Sequence, residues 1–210
     1  FEMELGYKLI KNLLITANLF DMTIKDPIVY FFDDSGVEGY QNYDQSGTRG
    51  FEADVKYTGK WGSVNATYSH YMQADKNKVE TYMVPKTFDD QALVGFARDK
   101  ATLYATFNVW KGLAISPWVV YTGKKYGWAP EWDEVAGDAV YEINHEFDPT
   151  INLNLFVSFK DLFIKKLEIG AGVYNILNED MYFVQPYNGA HAALPDASTS
   201  YRIKLSYNLF

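Results

Sequence analysis

A run of about ten residues that alternates apolar and polar side chains recurs nine times along this chain, and the connections between runs alternate short and long. The clearest run is Thr150-Ile151-Asn152-Leu153-Asn154-Leu155-Phe156-Val157-Ser158-Phe159, whose odd positions are all apolar and whose even positions are polar except Phe156. Successive side chains of a β-strand point to opposite faces, so such a run has one oily face and one wet face. About ten residues is also the length at which a tilted strand crosses the hydrocarbon of a bilayer. The connection rhythm gives the strands a common up-and-down order. Together these features predict an all-β, antiparallel transmembrane β-barrel wall of the bacterial outer-membrane kind.

Alternation and turn residues predict strands at 2–10, 13–32, 40–58, 62–73, 96–110, 113–126, 147–159, 167–178 and 200–210. The short turns fall at Lys11-Asn12, 59–61, Lys111-Gly112 and 160–166; the long loops fall at 33–39, 73–95, 127–146 and 179–199. Outer-membrane barrels have short periplasmic turns and longer outer loops, so the chain is expected to end on the periplasmic side. Charges keep to one face: Phe51, Ala53, Val55 and Tyr57 oppose Glu52, Asp54, Lys56 and Thr58. Ile203, Leu205, Tyr207 and Leu209 likewise oppose Arg202, Lys204, Ser206 and Asn208. A soluble antiparallel protein with one solvated face would also alternate. Its strands average nearer 5–6 residues, and long loops would not fall on every second connection.

Mean hydropathy is −0.24, and no stretch approaches the ~18 consecutive apolar residues of a membrane helix. That test does not see strands that spend half their residues on a wet face. Aromatics reach 17% of residues, as suits strands and membrane surfaces. With no cysteine, thiolate metal sites and cysteine nucleophiles are excluded. Phe1 begins directly in a strand pattern, and an exported protein needs a leader, so the start is expected to have been removed. A net charge of −8 argues against nucleic acid as a partner. The charge is uneven. The segment from Trp128 to Asp148 holds Glu131, Asp133, Glu134, Asp138, Glu142, Glu146 and Asp148 with no Lys or Arg, whereas the short turns hold Lys11, Lys60, Lys111, Lys160, Lys165 and Lys166.

Single-chain bacterial barrels have even strand counts, because both ends finish on one side. Nine up-and-down strands cannot close alone, and an open sheet would leave two bare edges in lipid. Either the count is off by one or the chain is part of a larger barrel.

Several segments then carry a likeness: Gly6-Tyr7 followed by Ala17-Asn18-Leu19-Phe20, IKDPIVY at 24–30, TRGFEADVKY at 48–57, YNILNEDMY at 174–182 and the closing YRIKLSYNLF at 201–210. In their order and spacing these resemble the C-terminal part of TonB-dependent outer-membrane receptors. The resemblance implies that 1–210 is the last nine or so strands of a 22-stranded barrel, without the plug domain and earlier strands. It also implies uptake of a bulky, scarce nutrient: a metal chelate (siderophore, haem or cobalamin) or an oligosaccharide. The partners it implies are outer-membrane lipid and lipopolysaccharide, the rest of the barrel and plug, the TonB complex acting through the plug, an extracellular ligand and a surface lipoprotein. Phe210 matches the terminal Phe of barrel-assembly signals. The chain departs from the family in having Asn208 where an aromatic usually stands and Ser198-Thr199-Ser200 before the last strand.

No residues are assigned to catalysis, a metal or a cofactor. His70, His145 and His191 lie far apart in sequence, and no phosphate loop, serine elbow or paired-histidine zinc motif is present. Glu131, Asp133, Glu134 and Asp138 offer oxygen ligands that would attract cations, without the glycine and spacing of an EF-hand, so a solvated loop is the plainer account. Aromatic outer-loop residues are the better lead. Trp128, Trp132, Tyr187 and Tyr82, with His191, are the candidates for ligand contact, since Tyr and Trp stack and hydrogen-bond to planar or sugar-like ligands. The competing account is an interfacial belt, to which Tyr121 and Tyr126 are assigned on the outer side and Trp61, Trp110 and Phe163 on the periplasmic side. Two other readings stay open: a complete eight- or ten-stranded barrel acting as an enzyme or adhesin, and a soluble carbohydrate-binding β-sandwich.

Overall fold

The computed structural model describes residues 1–32, 35–140, 144–187 and 191–209. One antiparallel sheet of nine strands dominates it, with every strand paired to its neighbour in sequence. In chain order these are β1 (Glu2–Ile10), β2 (Leu13–Lys25), β3 (Gln45–Gly59), β4 (Gly62–Met72), β5 (Asp99–Trp110), β6 (Leu113–Thr122), β7 (Thr150–Lys160), β8 (Leu167–Tyr174) and β9 (Ser200–Tyr207). The number, order and direction agree with the alternation. Among the described residues, β1 and β9 each keep one edge without a ladder partner, so the wall is not closed. No described helix is long and apolar enough to cross a membrane, which says nothing about strands.

Where the strands end, the structure departs from the expected ranges. The run expected at 13–32 breaks at Asp26, which takes a left-handed conformation (φ 52°) just before Pro27. Proline has no N–H for the ladder, so the sheet strand stops, and Ile28–Phe32 pairs instead with Glu38–Asn42 in a separate outer ribbon. Similarly, 113–126 divides after Thr122, and Lys125–Trp128 forms its own ribbon with Asn144–Phe147. β8 stops at Tyr174 because Asn175 turns left-handed (φ 50°) and its side chain takes over local hydrogen bonding, reaching the Glu179 carbonyl at 3.0 Å.

Register puts the polar residues of adjacent strands side by side. Glu52 faces Asn18 and Ser69, and Asp54 faces Thr16 and Thr67. Hydroxyl pairs Thr67–Thr102 (2.6 Å) and Thr106–Ser116 (3.0 Å) continue that face across β4, β5 and β6. The opposite face is apolar and bare: Leu5 is 71% exposed, Leu103 47% and Ile203 87%. In water such a continuous apolar surface would be a large liability; against lipid it is the expected exterior. Phe156, the exception in the alternation, lies on the polar face over Gly170 and Gly172 of β8. A Cβ at Gly170 would stand 2.3 Å from its ring, so the ring fills the room that two absent side chains leave.

The long loops pack on one another above the sheet. Val84, Ala92, Val94 and Tyr126 form a small buried core with Trp128 against it. A backbone bond from Val94 to the Tyr82 carbonyl (3.0 Å) folds the loop at 73–98 on itself, and one from Gly95 to the Tyr126 carbonyl (2.7 Å) ties it to the loop at 123–149.

Candidate functional site at the outer mouth

The outer end of the wall is built from four loops, and two that are distant along the sheet meet there. Tyr30, in the ribbon after β2, stands edge-on to Tyr40 (centroids 5.7 Å) and to Tyr187 (5.4 Å), which belongs to the loop between β8 and β9. The Tyr30 hydroxyl donates to the Glu38 carboxylate at 2.6 Å. That bond pushes its ionisation up to about 12, so the phenol stays a donor at all ordinary pH. Tyr40 is 75% exposed and Tyr187 36%, so the group presents ring faces and hydroxyls outward. Such a surface binds by stacking and hydrogen bonding rather than by covalent chemistry.

Of the loop residues singled out from sequence, Tyr187 alone joins this cluster. Tyr82 sits half-buried in the single helical turn Glu80–Tyr82. Trp128 packs under the loops against Val84, Ala92, Val94 and Tyr126. Trp132 stands 67% exposed on the short ribbon Glu131–Asp133 with Asp138–Val140. His191 is exposed, its ring Nδ1 2.8 Å from the Ala192 carbonyl. Tyr126 takes a different place from the one expected: it is 4% exposed in the loop core, beyond the end of β6, rather than at a membrane surface. Tyr30 and Tyr40 were missed because they fall inside the strands expected at 13–32 and 40–58; the Asp26-Pro27 step was the available sign that a new ribbon begins.

The acidic loop uses its carboxylates locally. Asp133 accepts from the backbone N–H groups of Val135 (2.8 Å) and Ala136 (3.0 Å), which hold its carboxyl below the usual range. Asp138 accepts from the Ala139 N–H at 2.7 Å, and a Glu131 oxygen lies 2.9 Å from the His145 imidazole. Among the described residues no three His, Asp or Glu converge in a way that could hold a metal ion. Glu134 is exposed, and Glu142 and Phe210 lie outside the described residues.

Below the mouth, the polar face carries two features that the sequence did not single out. An aromatic row crosses five strands: Tyr104 to Trp118 at 5.9 Å, Trp118 to Tyr174 at 5.3 Å, and the Arg202 guanidinium 4.6 Å over the Tyr174 ring. Asn154, 3% exposed, lies beside Trp118 and accepts from the Asn175 N–H, which ties the row to the loop above. Toward β1 the same face turns acidic. A concavity of about 390 Å³ is lined there by Glu4, Thr16, Asn18, Glu52, Asp54 and Lys100, among others. Asn18 donates to Glu2 at 2.8 Å and Asn65 to Asp54 at 2.7 Å.

The other aromatics expected in a membrane belt lie on the apolar face or at the short turns. Tyr121 stands between Ala101 and Ile151 on the apolar face. Near the short turns, Trp61 stacks on Tyr57 (5.2 Å) and Phe107 (5.6 Å), Trp110 meets Phe159 edge-on at 6.1 Å, and Phe163 is 80% exposed at the tip of its turn.

A family model described as "TonB dependent receptor-like, beta-barrel" matches residues 2–176. No curated protein matches the sequence. Solved structures similar to the chain include the FrpB iron transporter from Neisseria meningitidis, at 19% identity and TM-score 0.65 over 98% of this chain and 30% of that one. The ferric-catecholate import receptor Fiu from Escherichia coli K12 is similar at 17% identity and TM-score 0.68, over 98% of this chain and 27% of that one. The pyoverdine outer-membrane receptor FpvA from Pseudomonas aeruginosa PAO1, bound to pyoverdine, gives 14% identity and TM-score 0.68 over 99% and 29%. The chain thus spans less than a third of the length of these structures.

Proposed function

The chain belongs to the TonB-dependent receptor-like β-barrel family, and on that premise we propose that it is nine adjacent strands of an outer-membrane receptor that imports a metal chelate. The observation that carries this reading is the sheet itself. Nine antiparallel strands expose one apolar face and leave two unpaired edges, which hydrocarbon tolerates only when further strands close the barrel. In this reading the remaining strands and a plug complete the receptor. The acidic concavity and the aromatic row face that plug, and the TonB complex acts through it. Lipid and lipopolysaccharide surround the apolar face. The similarity to receptors described as iron, catecholate and pyoverdine importers supports a ferric chelate as the cargo class.

The test is uptake of radiolabelled ferric chelates by iron-starved cells carrying or lacking the intact receptor gene. Uptake of at least one chelate falls on deletion and returns with the gene; unchanged uptake across hydroxamate, catecholate and mixed chelates contradicts the reading. At the mouth, Tyr187→Ala and Tyr40→Ala in the intact receptor each lower chelate affinity by about tenfold, the size of one lost aromatic contact plus its buried area. Val135→Ala, at a loop position 98% exposed, leaves affinity unchanged. Fluorescence titration checks both, and equal affinities in all three variants would remove the tyrosine cluster from the site.

A further inference from the structure

We propose that the periplasmic rim of this wall binds anionic phospholipid of the inner leaflet, with turn lysines on the phosphates and turn aromatics in the acyl boundary. Every short turn carries lysine: Lys11, Lys60, Lys111 and the pair Lys165-Lys166. All five are exposed and, among the described residues, none forms an ion pair. Two lysines of the polar face, Lys160 and Lys204, instead reach Glu168, at 3.7 and 3.4 Å. The rim lysines are therefore left for something outside the chain.

The apolar partners of those lysines are placed for lipid. Trp61 lies in a stack with Tyr57 and Phe107 on the apolar face, and Trp110, 70% exposed, meets Phe159 there. The turn between β7 and β8 is longer than a hairpin needs. Asp161 holds its base, accepting from the Lys166 N–H at 2.5 Å while its own N–H reaches the Leu167 carbonyl at 2.8 Å. The turn thus presents Phe163 (80% exposed) and Ile164 (55%) at its tip, directly before Lys165-Lys166. Apolar tip followed by cationic pair is the order in which a segment enters a lipid–water boundary and meets headgroup phosphate.

Charge polarity along the strands points the same way. The four outer connections, 26–44, 73–98, 123–149 and 175–199, hold 19 Asp and Glu against 6 Lys and Arg, while the short turns hold a single carboxylate, Asp161. An acidic soluble protein would satisfy the lysines but not the exposed Phe163, Ile164 and Trp110, which continue the lipid-facing surface without a break. One lysine near an anionic bilayer surface gains roughly a fivefold preference.

The experiment places the intact receptor in lipid nanodiscs and compares association of spin-labelled phosphatidylglycerol with that of spin-labelled phosphatidylcholine. Phosphatidylglycerol is expected to be preferred by about fivefold or more, and the preference to weaken in high salt. Replacing the five lysines by glutamine brings the ratio near one; replacing them by arginine preserves it. A ratio near one in the unaltered receptor, or an undiminished ratio in the glutamine set, overturns the proposal. If the glutamine set fails to assemble, the salt dependence of the unaltered receptor and the arginine set decide. Chelate uptake plays no part in this readout, so a failure of the transport reading leaves the result interpretable.

Discussion

Leu103→Arg destabilises the inserted barrel by about 2–4 kcal/mol, whereas Thr102→Arg, one residue away, costs far less. Leu103 lies in the interior of β5 on the apolar face, 47% exposed, opposite Ala66 and Val119. An arginine there would stand in hydrocarbon with no counter-charge from its neighbours. Thr102 points to the other face, where its hydroxyl pairs with Thr67 and where Lys100 already stands. An arginine added at 102 is wetted by the lumen. The difference between the two positions is the measurement, taken as urea unfolding of the intact receptor in lipid vesicles. Equal losses would mean that both faces see the same solvent, and the membrane assignment would fail.

Gly62→Ala is the other change with a large expected effect, about 3 kcal/mol or more, as a strained backbone and a displaced strand together require. Gly62 begins β4 with φ 145°, and a Cβ there would lie 1.8 Å from the Thr106 carbonyl oxygen. That oxygen belongs to the backbone of β5, so no side-chain rotation relieves the clash. The two strands have to part at the end where Asn108 donates to the Trp61 carbonyl at 2.7 Å. Gly36, in the outer ribbon's turn, also has a positive φ (81°) but nothing within 4 Å of its Cβ position. Gly36→Ala therefore costs only the left-handed penalty, about 1 kcal/mol. Thermal loss of the folded form on electrophoresis separates the two variants; matching midpoints would show that the close approach at Gly62 has no energetic weight.

The sheet was legible because the two faces of each strand meet different solvents, and a period of two survives substitution of almost any single residue. Even its odd count was readable, and with it the inference that other strands close the barrel. Strand ends were less legible. Tyr30 falls within the run expected at 13–32 although Asp26 has already turned the chain, and a local pattern records nothing about which partner a segment pairs with. The same limit hid the mouth. Tyr30, Tyr40 and Tyr187 come from loops joined only through six intervening sheet strands, and Tyr126 and Trp128 are buried by segments remote in sequence. Tyr104 and Tyr174 passed as ordinary polar-face residues. Only the register, which sets Trp118 beside Tyr104 and Asn154, turns them into a row ending at Arg202.

The central claim is that these strands form a lipid-facing wall, and β7 tests it most directly. This chain contributes no cysteine, so single cysteines placed from 151 to 159 can be labelled one at a time in an intact receptor whose other segments have been cleared of cysteine. In native outer membranes the account predicts a period of two. Labels at 151, 153, 155, 157 and 159 are quenched from the lipid phase, and those at 152, 154, 156 and 158 react only from water. Uniform access from water along the whole strand would contradict it.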